Sequence, residues 1–212
     1  MEFEIFKNRI SKLKKMPLPG EEAHRKLAPL IRINELREID IPSKNPHEAG
    51  VMAVFYPDND CDTRMVLILR KTYKGVHSNQ VGFPGGRVEE EDADLEATAL
   101  RETEEEVGIP RNEIVVLKKL TRLYIPPSNF WVQPYFGIMH KTPEMIAQES
   151  EVEAILEVKL SEFLDENSLI TENLSTSYAE DIEVPAYRLN GHVVWGATGM
   201  MLSEIRELLI KI

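Results

Sequence analysis

Apolar and polar positions change period several times along the chain. Ala49 to Tyr56 and Met65 to Leu69 are short apolar runs rich in strand formers, separated by the loop-like Pro57 to Thr63. They predict two core strands. Glu113 to Ile125 is strand-like, Pro126-Pro127 breaks it, and Phe130 to Met139 supplies another extended apolar run. Near the end, Ile182 to Leu189 and His192 to Trp195 flank Asn190-Gly191, a tight-hairpin signal.

Other stretches carry the helical period. Phe3, Phe6, Ile10 and Leu13 share one face, and Lys7, Arg9, Lys12, Lys14 and Lys15 lie elsewhere around it. Residues 1–44 therefore form a helical extension, expected to pack on the main domain or on a second subunit, as in a homodimer, rather than on a membrane surface. The proline-bearing Met16 to Gly20 is a turn, and Glu21 to Ile31 resumes a helix. Leu160 to Leu164 fits a short helix and Glu172 to Glu180 a mobile polar loop. A closing helix buries Met201, Leu202, Ile205, Leu208, Leu209 and Ile212 on one stripe.

Mixed strand and helix signals give an α/β fold, and 212 residues at 42% hydrophobic content suffice for one substantial core. The single cysteine, Cys61, is read as an inert surface thiol in a reducing compartment. The uncharged run Val193 to Leu202 is too short to span a membrane, which with the lone thiol leads to a cytoplasmic expectation. A formal net charge of −11 opposes binding to a nucleic-acid backbone but leaves room for a small phosphorylated ligand held by local cations.

The candidate chemistry lies between Gly85 and Ile109. Asp92 is a plausible N-cap, and Gly108 followed by Pro110 is a stop signal, so a helix is predicted from Ala93 to Val107. Leu95, Ala99, Leu100, Thr103 and Val107 make its apolar face. Glu102, Glu105 and Glu106 stand at i, i+3 and i+4, where three carboxylates repel one another unless a cation intervenes. Hard oxygen ligands on a rigid element suit Mg²⁺ or Mn²⁺.

Gly86, Arg101, Glu102, Glu105, Glu106 and Gly108 together resemble the signature of the Nudix hydrolases. Gly86 and Arg101 stand one residue farther apart than in the generic box, and the early acidic residue is Asp92, which is similar to the coenzyme A pyrophosphatase branch. An element of that branch just upstream resembles Phe83-Pro84-Gly85-Gly86, with Arg70, His77, Gln80 and Val81 also in place. Gly75, next to Lys74, and Asn79 depart from it, which keeps other nucleoside diphosphate derivatives such as ADP-ribose or NADH open as substrates. A silent nucleotide-binding module is the remaining alternative.

The resemblance implies an α/β/α sandwich with a mixed sheet over residues 45–212 and a metal site at Glu102, Glu105 and Glu106. It also implies that Arg101 orients a glutamate of the cluster. Glu151, ahead of a strand, is carried over as a further catalytic carboxylate, and Glu105 is the first candidate for general base, Glu151 the second. Substrate contacts are expected from Arg70, Lys74, His77, Gln80, Gly85 and Gly86. The two glycines would let backbone approach the phosphates. The reaction implied is hydrolysis of coenzyme A or its derivatives to adenosine 3′,5′-bisphosphate and 4′-phosphopantetheine. Its 3′-phosphate needs a cation, for which Arg70, Lys71 and Lys74 are nearest in sequence. Trp131 or Tyr135 could stack an adenine.

Overall fold

The computed structural model describes residues 1–72, 79–174 and 182–212, and of 36–38 the backbone. Three helices come first: α1 (Phe3–Ile10), α2 (Glu21–Lys26) and α3 (Leu30–Glu38). The single helix expected over Glu21–Ile31 is thus two. Pro29 lacks an N–H and pushes its predecessor out of the helical region, so it ends one helix and stands as N-cap of the next.

Next come the strands β1 (His47–Pro57), β2 (Thr63–Arg70), β3 (Val81–Gly82) and β4 (Gly85–Arg87). Helix α4 (Leu95–Val107) follows, and then β5 (Val115–Lys119), β6 (Leu123–Ile125) and β7 (Phe130–Ile138). The chain continues with β8 (Val152–Lys159), α5 (Leu160–Leu164), β9 (Leu169–Leu174), β10 (Ile182–Leu189), β11 (His192–Val194) and α6 (Gly196–Ile210).

Eight strands among the described residues form one mixed sheet. β1 lies at its centre, running parallel to β7 from His47↔Phe130 to Phe55↔Ile138, while its other pairings are antiparallel. On its second edge β1 pairs with β2 only at Phe55–Pro57 and with β4 at Ala49–Val51. Between these contacts β2 veers away towards β8 and β3, and the Pro84 carbonyl takes the amide of Met52. That divergence opens one end of the sheet.

β1 is buried on both faces. Met52, Val54 and Tyr56 pack with Ala99 and Val107 of α4, whereas Ala49, Val51, Ala53 and Phe55 pack with α1 and α6. The fold is therefore an α/β/α sandwich. The apolar face of α1 is spent within the chain: Phe6 is 1% exposed, with its ring 5.4 Å from that of Phe55 and 6.5 Å from that of Phe136. Burying one such ring stabilises by roughly 1.5–3 kcal/mol.

β9, β10 and β11 make a second, three-stranded sheet among the described residues. Asn190 and Gly191 both take positive φ, as the predicted hairpin requires. The loop expected from Glu172 begins inside β9 instead; its polar residues alternate on an edge strand paired to β10, and 175–181 lie outside the described residues. Cys61 is exposed in the turn before β2.

One buried carboxylate ties the ends of the chain together. Glu204 of α6 is 0% exposed and accepts from the backbone N–H of Gly20 (3.2 Å) and Thr121 (3.0 Å) and from the Thr121 hydroxyl. Its Oε2 lies 3.5 Å from Nε2 of buried His24.

Candidate active site

Helix α4 is set by its ends. Its N-cap is Asp94, whose side chain accepts from Ala97 N–H at 2.9 Å, and Gly108 closes it in the left-handed region. The predicted N-cap, Asp92, lies outside the helix because its carboxylate is engaged elsewhere. It accepts from Arg101 Nε and Nη2, both at 2.9 Å, from the Thr98 hydroxyl at 2.9 Å and from Glu89 N–H at 3.0 Å. The Arg101 pairing holds its carboxyl well below the usual range, and in turn raises the guanidinium.

Arg101 spreads over the acidic turn. Nη1 donates to Glu102 at 3.0 Å and to Glu105 at 3.1 Å, and Nη2 also reaches the Arg87 carbonyl at 3.1 Å. The repulsion expected between adjacent carboxylates is thus partly offset from within the protein.

The three glutamates occupy different environments. Glu105 is 45% exposed as a side chain and Glu102 13%. Glu106, expected on the polar face, is 1% exposed and sits on the buried side with Thr103 and Val107. Its Oε2 accepts from Gly85 N–H at 2.7 Å and its Oε1 lies 3.7 Å from Arg70 Nη2. Burial pushes its carboxyl up to about 7 against the pull of Arg70 and the Gly85 amide. Burial likewise raises Glu102, helped by Glu105 and Glu151 and opposed by Arg101.

Gly85 and Gly86 make room chiefly for the protein itself. A Cβ on Gly85, where φ is +148°, would stand 2.6 Å from Cα of Val51. One on Gly86 would stand 2.5 Å from Cδ and Oε1 of Glu102. Gly50, opposite Gly86 in the sheet, does the same for α4, whose Ala99 N would be 3.0 Å from a Cβ.

Glu151 is fixed by backbone. Gln148 N–H donates to the Glu106 carbonyl at 3.0 Å, Glu151 N–H to the Gln148 carbonyl at 3.1 Å, and Lys71 N–H to the Glu151 carbonyl at 2.8 Å. The turn before β8 is thereby stitched to the end of α4 and to the end of β2.

A cavity of about 470 Å³ occupies the opening in the sheet. Arg70, Gln80, Gly85, Gly86, Glu102, Glu105 and Glu151 all line it, whereas Glu106 lies beneath its floor. Arg70 is anchored there by Nη2 donating to the Gly85 carbonyl at 2.9 Å. Lys74 and His77, with Gly75, lie outside the described residues. Neither aromatic proposed for stacking reaches the cavity: Tyr135 is 3% exposed in the core against α4, and Trp131 lies under the Arg122 guanidinium, 4.7 Å from its ring centre.

The sequence reading missed a second group of cavity residues: Tyr124, Phe130 and Trp195 from three separate segments, and Pro29 and Arg32 from the N-terminal helices. Tyr124, Phe130 and Trp195 all stood in stretches read only as strands, and nothing in their local pattern distinguishes a cavity aromatic from a core one.

Among the described residues no three His, Cys, Asp or Glu side chains converge as a ready-made metal cage. A magnesium-like ion does not require one, since it keeps several waters and binds through one or two carboxylates plus substrate phosphates. Partly buried Glu102 beside Glu105 and Glu151, with oxygen donors only, fits that mode. No helix among the described residues is long and apolar enough to cross a membrane.

The NUDIX domain family profile matches residues 46–175. The chain is 36% identical over 174 residues to the Nudix hydrolase NudL of Yersinia enterocolitica, covering 78% of this chain and 83% of that one. It is 27% identical over 138 residues to peroxisomal coenzyme A diphosphatase ndx-8 of Caenorhabditis elegans, covering 65% of this chain and 59% of the worm protein. Among solved structures, a MutT/nudix family protein from Enterococcus faecalis aligns over 92% of this chain and 74% of its own, with a TM-score of 0.50 at 21% identity.

Proposed function

The chain belongs to the Nudix hydrolase family, and from that premise we propose that it hydrolyses the pyrophosphate bond of coenzyme A or its derivatives, with Mg²⁺ or Mn²⁺ bound at the acidic turn. The observation that carries this reading is the convergence of the upstream element, at Arg70, Gln80 and Gly85-Gly86, with the glutamates of α4 and with Glu151 around one cavity. The similarity to ndx-8, named a coenzyme A diphosphatase, supports the substrate. Residues 1–44 are taken as an extension of a catalytic domain spanning 45–212, in a cytoplasmic enzyme.

In this mechanism Glu102 and Glu105 face the diphosphate, with Arg101 holding both carboxylates in place. A divalent cation bound to them supplies neutralisation of the nonbridging oxygens and a more acidic water. Glu105, the most exposed of the three, is positioned to take a proton from the attacking water. Glu151 is the second candidate for that role. Glu106 acts from below the cavity, fixing the Gly85 amide and facing Arg70. The water oxygen bonds to one phosphorus as the bridging P–O bond breaks, releasing adenosine 3′,5′-bisphosphate and 4′-phosphopantetheine.

The test is a Mg²⁺-dependent assay against coenzyme A, ADP-ribose and NADH side by side, with products identified by mass. Best cleavage of coenzyme A to adenosine 3′,5′-bisphosphate is expected. A preference for ADP-ribose or NADH would overturn the substrate, and turnover of none of them would overturn the enzymatic reading.

A further inference from the structure

The cavity is larger than a diphosphate needs, and its walls differ in character. At one wall are Glu102, Glu105, Glu151 and the backbone of Gly85-Gly86; further round, Tyr124, Phe130 and Trp195 provide flat apolar surface, and Arg32 closes the lining from helix α3. Arg32 precedes the stretch that the family profile matches, 46–175.

Among the described residues three arginines line this cavity, and their settings separate their uses. Arg70 is anchored to the Gly85 carbonyl and faces buried Glu106. Arg87 follows Gly86 on β4, and its carbonyl is held by Arg101, so it belongs to the diphosphate end. Arg32 is carried by a separate element. Its side chain is 11% exposed, and Nη1 is paired with Glu35 at 2.5 Å. Glu35 is 45% exposed, so water screens its charge, while the guanidinium it steadies is withdrawn into the wall. A planar guanidinium set in this way suits a phosphate monoester better than a mobile lysine does.

On a protein with formal charge −11, a polyanionic ligand needs such local cations. We infer that Arg32 reads the terminal phosphate monoester of a nucleotide whose diphosphate lies at the glutamates, making the N-terminal extension a specificity element. This rests on the coenzyme A reading, and assigns the 3′-phosphate to Arg32 rather than to Arg70 or Lys71, the described candidates nearest the catalytic element in sequence. The base and ribose then lie along the aromatic wall between.

The experiment compares kcat/KM for coenzyme A and for 3′-dephospho-coenzyme A in the full chain and in Arg32→Ala and Arg32→Lys. The full chain should prefer coenzyme A by at least about tenfold, the worth of one charge-assisted hydrogen bond. Arg32→Ala should bring that ratio to within about twofold of one, and Arg32→Lys should retain part of it. A structural role for Arg32 would lower both substrates together and leave the ratio intact, which overturns the inference but not the coenzyme A reading. So does a full chain with no preference. Failure of the full chain to cleave either compound, with turnover of ADP-ribose, overturns both. Should Arg32→Ala not fold, inhibition of the full chain and of Arg32→Lys by adenosine 3′,5′-bisphosphate against AMP gives the same ratio, and an equal ratio near one in the full chain refutes the assignment.

Discussion

Two glycines facing each other across the sheet, Gly50 and Gly86, are expected to fail in opposite ways when replaced by alanine. At Gly86 the new Cβ would stand 2.5 Å from Cδ and Oε1 of Glu102 and 2.7 Å from Oε2. Those atoms end a flexible side chain, and Gly86 is not among the residues with positive φ, so the carboxylate swings aside without backbone strain. Alanine also narrows the unfolded ensemble by about 0.4–1 kcal/mol, which offsets the lost hydrogen bond from Arg101. The Tm of Gly86→Ala should therefore stay within about 2 °C of the parent. Its turnover should fall about a hundredfold, since a displacement of about 1 Å in a catalytic group costs that much. At Gly50 the Cβ meets the Leu95 carbonyl and the Ala99 amide of α4, which is rigid backbone. The helix must shift, at a cost of about 1–3 kcal/mol, or roughly 2–12 °C in Tm. Thermal melts and kcat/KM on both variants test this. Equal loss of Tm in the two, or near-parental turnover in Gly86→Ala, would refute the claim that Gly86 exists to seat Glu102.

Glu105→Gln should lower turnover by about a hundredfold or more with little change in Tm, as its side chain is well exposed; a steady-state assay beside a melt checks this. Asp92→Asn weakens the acceptor for four donors, so Arg101 loses its anchor; activity should fall and stability drop by about 3 kcal/mol, measured by denaturant unfolding. For Glu204, burial favours the neutral form, but buried His24, 3.5 Å away, and hydrogen bonds from the Thr121 amide and hydroxyl outweigh it and hold its pKa below the ordinary 4.5. The contribution is complete above 4.5 and lost as pH falls through the lower, folded value, so Glu204→Gln should destabilise at pH 7 by about 3 kcal/mol and flatten the acid limb of stability against pH.

The grouping of residues at the acidic end of the cavity was legible because it is local. Glycine spacing, the acidic turn at Glu102–Glu106 and the stop at Gly108 all sit within one loop and one helix, where the period of the chain reports which side chains share a face. The long apolar strands β1, β2 and β7 were legible for the same reason. Short-range pattern failed where a tertiary partner decided the outcome. Asp92 and Asp94 are equally good caps by type, and only the arrival of Arg101 takes Asp92 out of that role. Glu106 reads as a surface acid until Gly85 and Arg70 close over it. The wall containing Arg32, Phe130 and Trp195 joins three segments far apart in sequence, which no local signal encodes.

The Glu204 clip bears on the order in which the molecule is completed. Its bond to Gly20 spans 184 positions and its bonds to Thr121 span 83, so it closes some of the largest loops in the chain. Closing loops of that length is entropically costly until other contacts have drawn the segments together. During synthesis the glutamate-bearing helix can dock on β1 long before α6 has emerged, but the cavity wall at Trp195 and Met201, and the anchoring of Gly20 to α6, must wait for the last strands and helix. A chain part-way through synthesis would thus carry the acidic turn beside an open cavity, whose Trp195 and Met201 side closes last.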